Sequence, residues 1–248
     1  MKTKIEWVKN SDGSQGYTIN PVKGLCPMAC PYCYARRMYL NPYYKNMYEH
    51  QEIRFDESVF KKYQKGSKVF IGSTIDLFYE QCSKWNNLIF EYCEGYPGVT
   101  FIFLTKQPQN LIKWSPFPDN CWVGVSIDGT NKNINKFASL SCLKSINARV
   151  KFISFEPLLD SICIGYRPLW WADAFKEANI DWIIVGQQTP VSAKTQPKVE
   201  WIKDIVEAAD KARTPMFLKN NLDGLLGYPL PEWAEAQTSF LRQEFPRD

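Results

Sequence analysis

Seven short apolar runs, separated by stretches of helical character, set the limits on what this chain can fold into. They are Tyr17-Thr18-Ile19-Asn20, Lys68-Val69-Phe70-Ile71-Gly72, Thr100-Phe101-Ile102-Phe103-Leu104-Thr105, Trp122-Val123-Gly124-Val125-Ser126, Lys151-Phe152-Ile153-Ser154-Phe155, Trp182-Ile183-Ile184-Val185-Gly186 and Pro215-Met216-Phe217-Leu218-Lys219. Each has the length and the β-branched and aromatic content of a buried strand. Alternation of such runs with helices favours a parallel sheet with helical crossovers. Before the last run, Val199, Ile202, Val206 and Ala209 recur at spacings of three and four, the stripe of a helix with one buried face. Residues 34–48 look helical at first but must break at Asn41-Pro42, because proline disfavours the helical conformation in the residue before it. The expected fold class is α/β. Residues 1–222 are expected to form a partial (β/α) barrel of about six to seven parallel strands. Residues 223–248 are expected to form a C-terminal tail packed on it.

Polar residues follow the carboxyl ends of these runs. They are Ser73, Thr74 and Asp76 after the second, Lys106 and Gln107 after the third, and Ser126 and Asp128 at the fourth. Ser154 and Glu156 mark the fifth, Gln187 and Gln188 the sixth, and Lys219 and Asn220 the seventh. Active sites of parallel α/β barrels are built on that face. Turn and helix-capping positions favour the same residue types, so the set carries more weight than any one member.

The first run feeds a loop reading Gly24-Leu25-Cys26-Pro27-Met28-Ala29-Cys30-Pro31-Tyr32-Cys33-Tyr34. Three thiols fall in the spacing CxxxCxxC, with an aromatic before the third. Closely spaced thiolates are soft ligands for a metal or an iron-sulfur cluster, and three of them can hold three irons of a four-iron cluster, leaving the fourth open. The two prolines limit the loop's freedom, so ligation should cost less entropy. Three other readings stand beside this one. Structural zinc wants four ligands, and the only histidine, His50, lies well downstream. A disulfide would leave one of the three cysteines over. Three buried, inert cysteines would account for neither the spacing nor the prolines. The other five cysteines, Cys82, Cys93, Cys121, Cys142 and Cys163, are scattered and suit packing.

The chain has 248 residues, 45% hydrophobic and 23% charged, which fits one large soluble α/β domain. No run approaches the ~18 apolar residues of a membrane span. The N-terminus lacks the apolar core of a signal peptide, so a cytoplasmic protein with no membrane partner is expected. A net charge of +4 permits a polyanionic partner without requiring one. A single histidine excludes multi-histidine metal sites and leaves little room for Ser-His-Asp or Cys-His catalysis. Difficult chemistry would have to come from a cofactor.

The CxxxCxxC spacing with its aromatic resembles the signature of the radical S-adenosylmethionine (SAM) superfamily. Further text makes the chain similar to a phage-associated family of radical-SAM-like proteins, related at fold level to the spore photoproduct lyase group. That text is Lys4-Ile5-Glu6-Trp7, Ile19-Asn20-Pro21-Val22-Lys23-Gly24, Cys30-Pro31-Tyr32-Cys33-Tyr34-Ala35 and Phe70-Ile71-Gly72-Ser73-Thr74-Ile75-Asp76-Leu77-Phe78. It continues in Leu104-Thr105-Lys106-Gln107-Pro108, Trp122 to Ser126, Ile153-Ser154-Phe155-Glu156-Pro157-Leu158-Leu159, Ile184-Val185-Gly186 and Phe217-Leu218-Lys219.

The resemblance implies a barrel of the radical SAM type and a 4Fe-4S cluster held by Cys26, Cys30 and Cys33. It implies S-adenosyl-L-methionine bound on the open iron, and an electron donor such as flavodoxin or ferredoxin. It places the SAM amino group at Ser73, Thr74 and Asp76, the ribose or carboxylate at Ser126 and Asp128, and the adenine near Tyr32, with Ser154 also on the cofactor side. Asp76, Glu156 and Lys219 are the candidates for the substrate side. The chain departs from the family pattern at three places. Many members have a longer gap between the first and second cysteines, where this chain has the standard three residues. Gly186-Gln187-Gln188-Thr189-Pro190 stands where Gly-Gly-Glu-Ser-Gly is usual, and Lys219-Asn220-Asn221-Leu222 stands where Lys-Gln-Trp-Gly is usual.

For the substrate, basic and aromatic side chains interleave from Tyr34 through Arg36, Arg37, Tyr39, Tyr43 and Tyr44 to Lys45, and Lys61, Lys62, Lys65 and Lys68 form a second basic group. Arginine and lysine suit phosphates and aromatic faces suit exposed bases, although a solvated helix face has the same composition. With the phage association, the expected enzyme starts radical chemistry on a nucleobase, in DNA or a nucleotide precursor, and works as a monomer. The alternatives are radical SAM modification of a peptide or protein, and a non-enzymatic, metal-bearing nucleic-acid-binding protein.

Overall fold

The structure, a computed structural model, describes residues 2–44, 51–130, 135–163, 168–236 and 240–246. Lys45 and His50 lie outside the described residues. All seven expected strands are present. They are β1 (Tyr17–Ile19), β4 (Lys68–Ile71), β5 (Thr100–Thr105), β6 (Cys121–Ser126), β7 (Val150–Phe155), β8 (Trp182–Val185) and β9 (Met216–Leu218). They form a seven-stranded parallel sheet in the order β1-β4-β5-β6-β7-β8-β9, the connectivity of a partial (β/α) barrel. The short strands β2 (Val22–Lys23) and β3 (Arg54–Phe55) make a separate antiparallel ribbon. No helix among the described residues is long and apolar enough to cross a membrane.

The chain divides into two compact units, Met1–Val123 with Asn147–Arg149, and Gly124–Ile146 with Val150–Asp248. In the first, β1 pairs with β4 in the register Thr18 to Phe70, and β4 with β5 in the register Phe70 to Ile102. Helices α1 (Tyr34–Leu40), α2 (Glu80–Ser83) and α3 (Asn86–Glu94) belong here. Helix α1 stops at Asn41, whose backbone is extended as its following proline requires. Phe90 packs against Phe103 and Phe117 at 5.3 and 5.6 Å between ring centroids, and Ile89 and Cys93 complete the buried face of α3. Of the five scattered cysteines, Cys82, Cys93 and Cys121 are buried free thiols, and Cys142 and Cys163 are only half-buried.

In the second unit β7, β8 and β9 are parallel neighbours, with Ser154 opposite Ile184 and Ile184 opposite Phe217. Helices α4 (Lys136–Ser145), α5 (Pro168–Glu177), α6 (Val199–Ala212) and α7 (Asp223–Leu226) belong here. Helix α6 buries Ile202, Val206 and Ala209, three of the four positions read from periodicity, and adds Ile205 and Ala208. Val199, at its first turn, is only half-buried.

Both outer strands carry a short antiparallel partner. Lys2 bridges Tyr17 on β1, and Thr3 N–H donates to Gly16 O at 2.9 Å. The tail runs back along β9, where Leu218 N–H donates to Arg242 O at 2.7 Å and Glu244 N–H to Met216 O at 2.8 Å. Trp182 Nε1 donates to Glu244 O at 2.8 Å and its ring packs on Phe245.

One side chain closes the turn between α3 and β5. Asn120 Nδ2 points at the carbonyls of Cys93, Tyr96 and Val99 at 2.8, 3.0 and 3.1 Å. Asn120→Ala is expected to lower the unfolding free energy by about 2 kcal/mol in urea titrations, the sum of the donors lost. Asn120→Asp, which sets a carboxylate against three carbonyl oxygens, should cost more than alanine. The opposite order would refute this role.

Candidate functional site

The cysteine loop occupies the segment between β2 and α1, and main-chain and side-chain bonds tie it down at both ends. At its start Gly24 holds φ at +123°, and a Cβ there would lie 2.5 Å from Glu52 O, so only glycine fits. Its N–H donates to the Tyr39 hydroxyl at 2.9 Å, and Leu25 N–H to Gln51 O at 2.8 Å. At its end the Cys33 sulfur caps α1, accepting from Arg36 N–H at 3.4 Å, while Arg36 Nη1 reaches Cys26 O. Tyr34 donates to Ser73 O at 2.9 Å. Tyr34, Arg36 and Tyr39 of the basic and aromatic stretch thus hold the cysteine loop, whereas Tyr43 is almost fully exposed. Lys68, counted in the second basic group, is buried with its ammonium 4.1 Å from the centre of the Trp122 ring.

All three thiols are free; Cys30 is buried and Cys26 and Cys33 are half-buried. Burial pushes the Cys26 thiol up to about 11, opposed by N–H groups of Asp76 and Met28 that bond to it. Burial also raises Cys30, opposed first by the Lys106 ammonium. Such N–H donors and a nearby cation favour thiolate, the form in which cysteine binds metal. Among the described residues, no three His, Cys, Asp or Glu side chains converge as ligands of a single metal ion would. Thiolates of a multi-iron cluster each take a separate iron and need no common point.

Asp76 sits behind this loop. Its carboxylate is buried and accepts from Phe78 N–H at 3.0 Å, the Thr105 hydroxyl at 2.7 Å and Lys106 N–H at 2.7 Å. Burial raises its pKa, and these donors pull it back. With both oxygens engaged, Asp76 supports the site from behind. Nearby, Asn20 Oδ1 accepts from the Ser73 hydroxyl and Thr74 N–H at 3.2 and 3.3 Å. Lys106 lies over the Tyr32 ring at 5.4 Å, and Gln107 Nε2 contacts Met28 Sδ at 2.7 Å. The structure therefore gathers Cys26, Cys30, Cys33, Tyr32, Ser73, Thr74 and Asp76 in the first unit.

The remaining candidates belong to the second unit. Lys219 and Glu156 form an ion pair, their side chains 12% and 24% exposed. The pair lies over Gly186, where a Cβ would meet Lys219 Cδ at 2.8 Å and Glu156 Cδ at 3.4 Å. The Ser126 hydroxyl donates to Glu156 O at 2.9 Å, and Asp128 Oδ1 accepts from the N–H and hydroxyl of Thr130. Ser154 is fully buried, and its hydroxyl has no hydrogen-bond partner among the described residues. Gln187 and Asn221 clasp each other. Gln187 Nε2 donates to Asn221 O, and Asn221 Nδ2 to Gln187 O at 2.8 Å. Both stand at departures from the resembled pattern, a small residue enlarged at one and an indole reduced at the other.

Sequence reading gave Asn20 no role and placed Tyr34 and Tyr39 in a substrate-binding stretch, whereas both tyrosines tether the cysteine loop. Asn20 ends the first run and could have been found as a strand-end polar residue. The tethering role of Tyr34 and Tyr39 gave no local signal, since their partners lie in other segments.

Residues 2–223 match the model of a family described as Protein of unknown function (DUF5131), and the chain belongs to that family. No curated protein matches it.

Two pairs of variants test these roles by urea unfolding. Asp76→Ala leaves three donors without an acceptor and is expected to cost about 3 kcal/mol, against about 1 for Thr105→Val. Equal effects would remove Asp76 from its central place. Glu156→Gln leaves the Lys219 ammonium without its carboxylate and should cost about 3 kcal/mol. Gly186→Ala, which only displaces the flexible Lys219 stem, should stay within about 1 kcal/mol. A larger loss for Gly186→Ala would show that backbone, and not the ion pair, occupies that space.

Proposed function

We propose that this member of the family is a radical SAM enzyme acting on a nucleobase, in DNA or a nucleotide precursor. The observation that carries the reading is the cysteine loop. Three free thiols lie on one tethered segment after β1, with main-chain N–H groups of Asp76, Met28 and Arg36 directed at two of the sulfurs. The donor set fits an iron-sulfur cluster in ligand type and in second-layer hydrogen bonding. Cys26, Cys30 and Cys33 would hold three irons, and a bound cluster with SAM would supply a 5′-deoxyadenosyl radical. Reduction requires a low-potential donor such as flavodoxin or ferredoxin.

The chain's own groups then have separable tasks. Asp76 sets the direction of its N–H toward Cys26. Lys106 places a cation beside Cys30 and Tyr32. The Thr74 hydroxyl, half-buried and without a partner among the described residues, is the group of the Ser73–Asp76 segment left for a SAM contact. In the second unit, Glu156 and Lys219 are a paired acid and base suited to hold or move a proton on the substrate. The nucleobase assignment draws on the phage-associated resemblance and on the aromatic and basic content of the chain.

The test is anaerobic reconstitution with iron and sulfide, then reduction, SAM addition and assay for 5′-deoxyadenosine. The product is expected from wild type and absent from Cys30→Ala. Zinc binding in place of iron would make the loop a structural clip. Product formed with SAM, but substrate turnover on peptides alone, would overturn the nucleobase assignment.

A further inference from the structure

A cavity of about 720 Å³ opens in the second unit just past β9, beside the segment that carries Lys219. Tyr228 and Phe240 line it, and they are 83% and 72% exposed. Among the described residues neither ring stacks on another. Large aromatic side chains left in water around a cavity of this size mark a ligand site.

The rest of the wall is polar and specific. Gln243 Nε2 donates to Asn220 Oδ1 at 2.7 Å and to Leu218 O at 3.4 Å. A main-chain carbonyl can only accept, so the amide orientation is set and Gln243 Oε1 is left as an acceptor. The exposed Asp223 carboxylate is a second one. Gly224, the second residue of α7, also lines the cavity, and an added Cβ there would meet nothing within 4 Å. Glycine is the poorest helix former after proline, so a helical glycine in open space lacks an explanation within the protein. A flat ligand lying against the α7 backbone supplies one.

We propose that this cavity is a nucleobase-binding subsite selective for bases that carry an exocyclic amino group. Tyr228 and Phe240 offer stacking faces, and Gly224 lets the ring approach the helix backbone. Asp223 and Gln243 Oε1 accept N–H groups from adenine, cytosine or guanine. Thymine presents two carbonyl oxygens around its one N–H and would set them against these acceptors. The base is supplied by a single strand or by a free nucleotide. The inference deepens the nucleobase reading above and rests on it for its place in the reaction.

The experiment uses the full chain as purified. Labelled ten-residue oligonucleotides of deoxycytidine, deoxyadenosine and thymidine are titrated by fluorescence anisotropy, with CMP and AMP as competitors. The cytidine and adenosine strands are expected to bind about tenfold tighter than thymidine, the size of one good base-edge discrimination. Tyr228→Ala and Phe240→Ala should each weaken binding by about tenfold, the effect of losing one stacking face. Asp223→Asn should reduce the preference over thymidine, and Gly224→Val should block binding while the fold persists by circular dichroism. Displacement by CMP would identify free nucleotide as the source, and its failure a strand. Equal binding by wild type and both aromatic variants, or no binding of any base, would overturn the proposal. So would self-association of wild type that Tyr228→Ala abolishes, since the rings would then cover a second copy. Base binding without 5′-deoxyadenosine formation sinks the cofactor reading alone. The deoxyadenosine product, with strand binding indifferent to Tyr228 and Phe240, sinks the subsite alone.

Discussion

The carboxylate of Asp76 is the point on which the first unit's site depends. A buried carboxylate is tolerated only with its lone pairs occupied, and here three donors from two segments occupy them. The arrangement joins the segment after β4 to the end of β5. It also fixes Asp76 N–H against the Cys26 sulfur. A residue whose carboxylate is engaged by other donors thus directs its main-chain N–H at a thiol. Tyr34 and Tyr39 tether the loop from α1, and Asn20, just past β1, holds Ser73 and Thr74, so the site is held by parts far apart in sequence.

The second unit solves a related problem by leaving space. Glu156 and Lys219, just past the ends of β7 and β9, meet over Gly186, at the end of β8, where the Lys219 stem lies against the glycine. Parallel register brings the three residues level, since Phe155 pairs with Val185 and Val185 with Leu218. The Gln187–Asn221 clasp lies one step further along the two strands, with two amides bonded to each other's main chain.

Much of the fold was legible because burial on both faces makes parallel strands continuous apolar runs, which stand out without an alignment. All seven were found, and the end of α1 followed from Asn41-Pro42 alone. The site was legible at the level of residue type and strand end. It was not legible at the level of which atom faces which. Asp76 and Ser126 occupy strand ends as active-site residues do, yet the side chain of Asp76 and the hydroxyl of Ser126 bind main-chain groups. No local pattern separates a strand-end residue that supports from one that reacts, because the difference lies in partners thirty residues away. The two-residue ribbon of β2 and β3 escaped for the same reason, being too short for any periodicity.

The pairing at the outer strands has a consequence for the chain in concentrated solution. An outermost strand ordinarily exposes a row of unsatisfied amides that can recruit a strand from a neighbouring molecule. Here β1 meets Lys2 and β9 meets Arg242 to Glu244, so each outer strand already has part of its amide row satisfied within the same chain. Strand addition would have to displace an intramolecular partner first. A sheet this apolar is thereby protected against edge-to-edge aggregation by short segments that contribute little to its core.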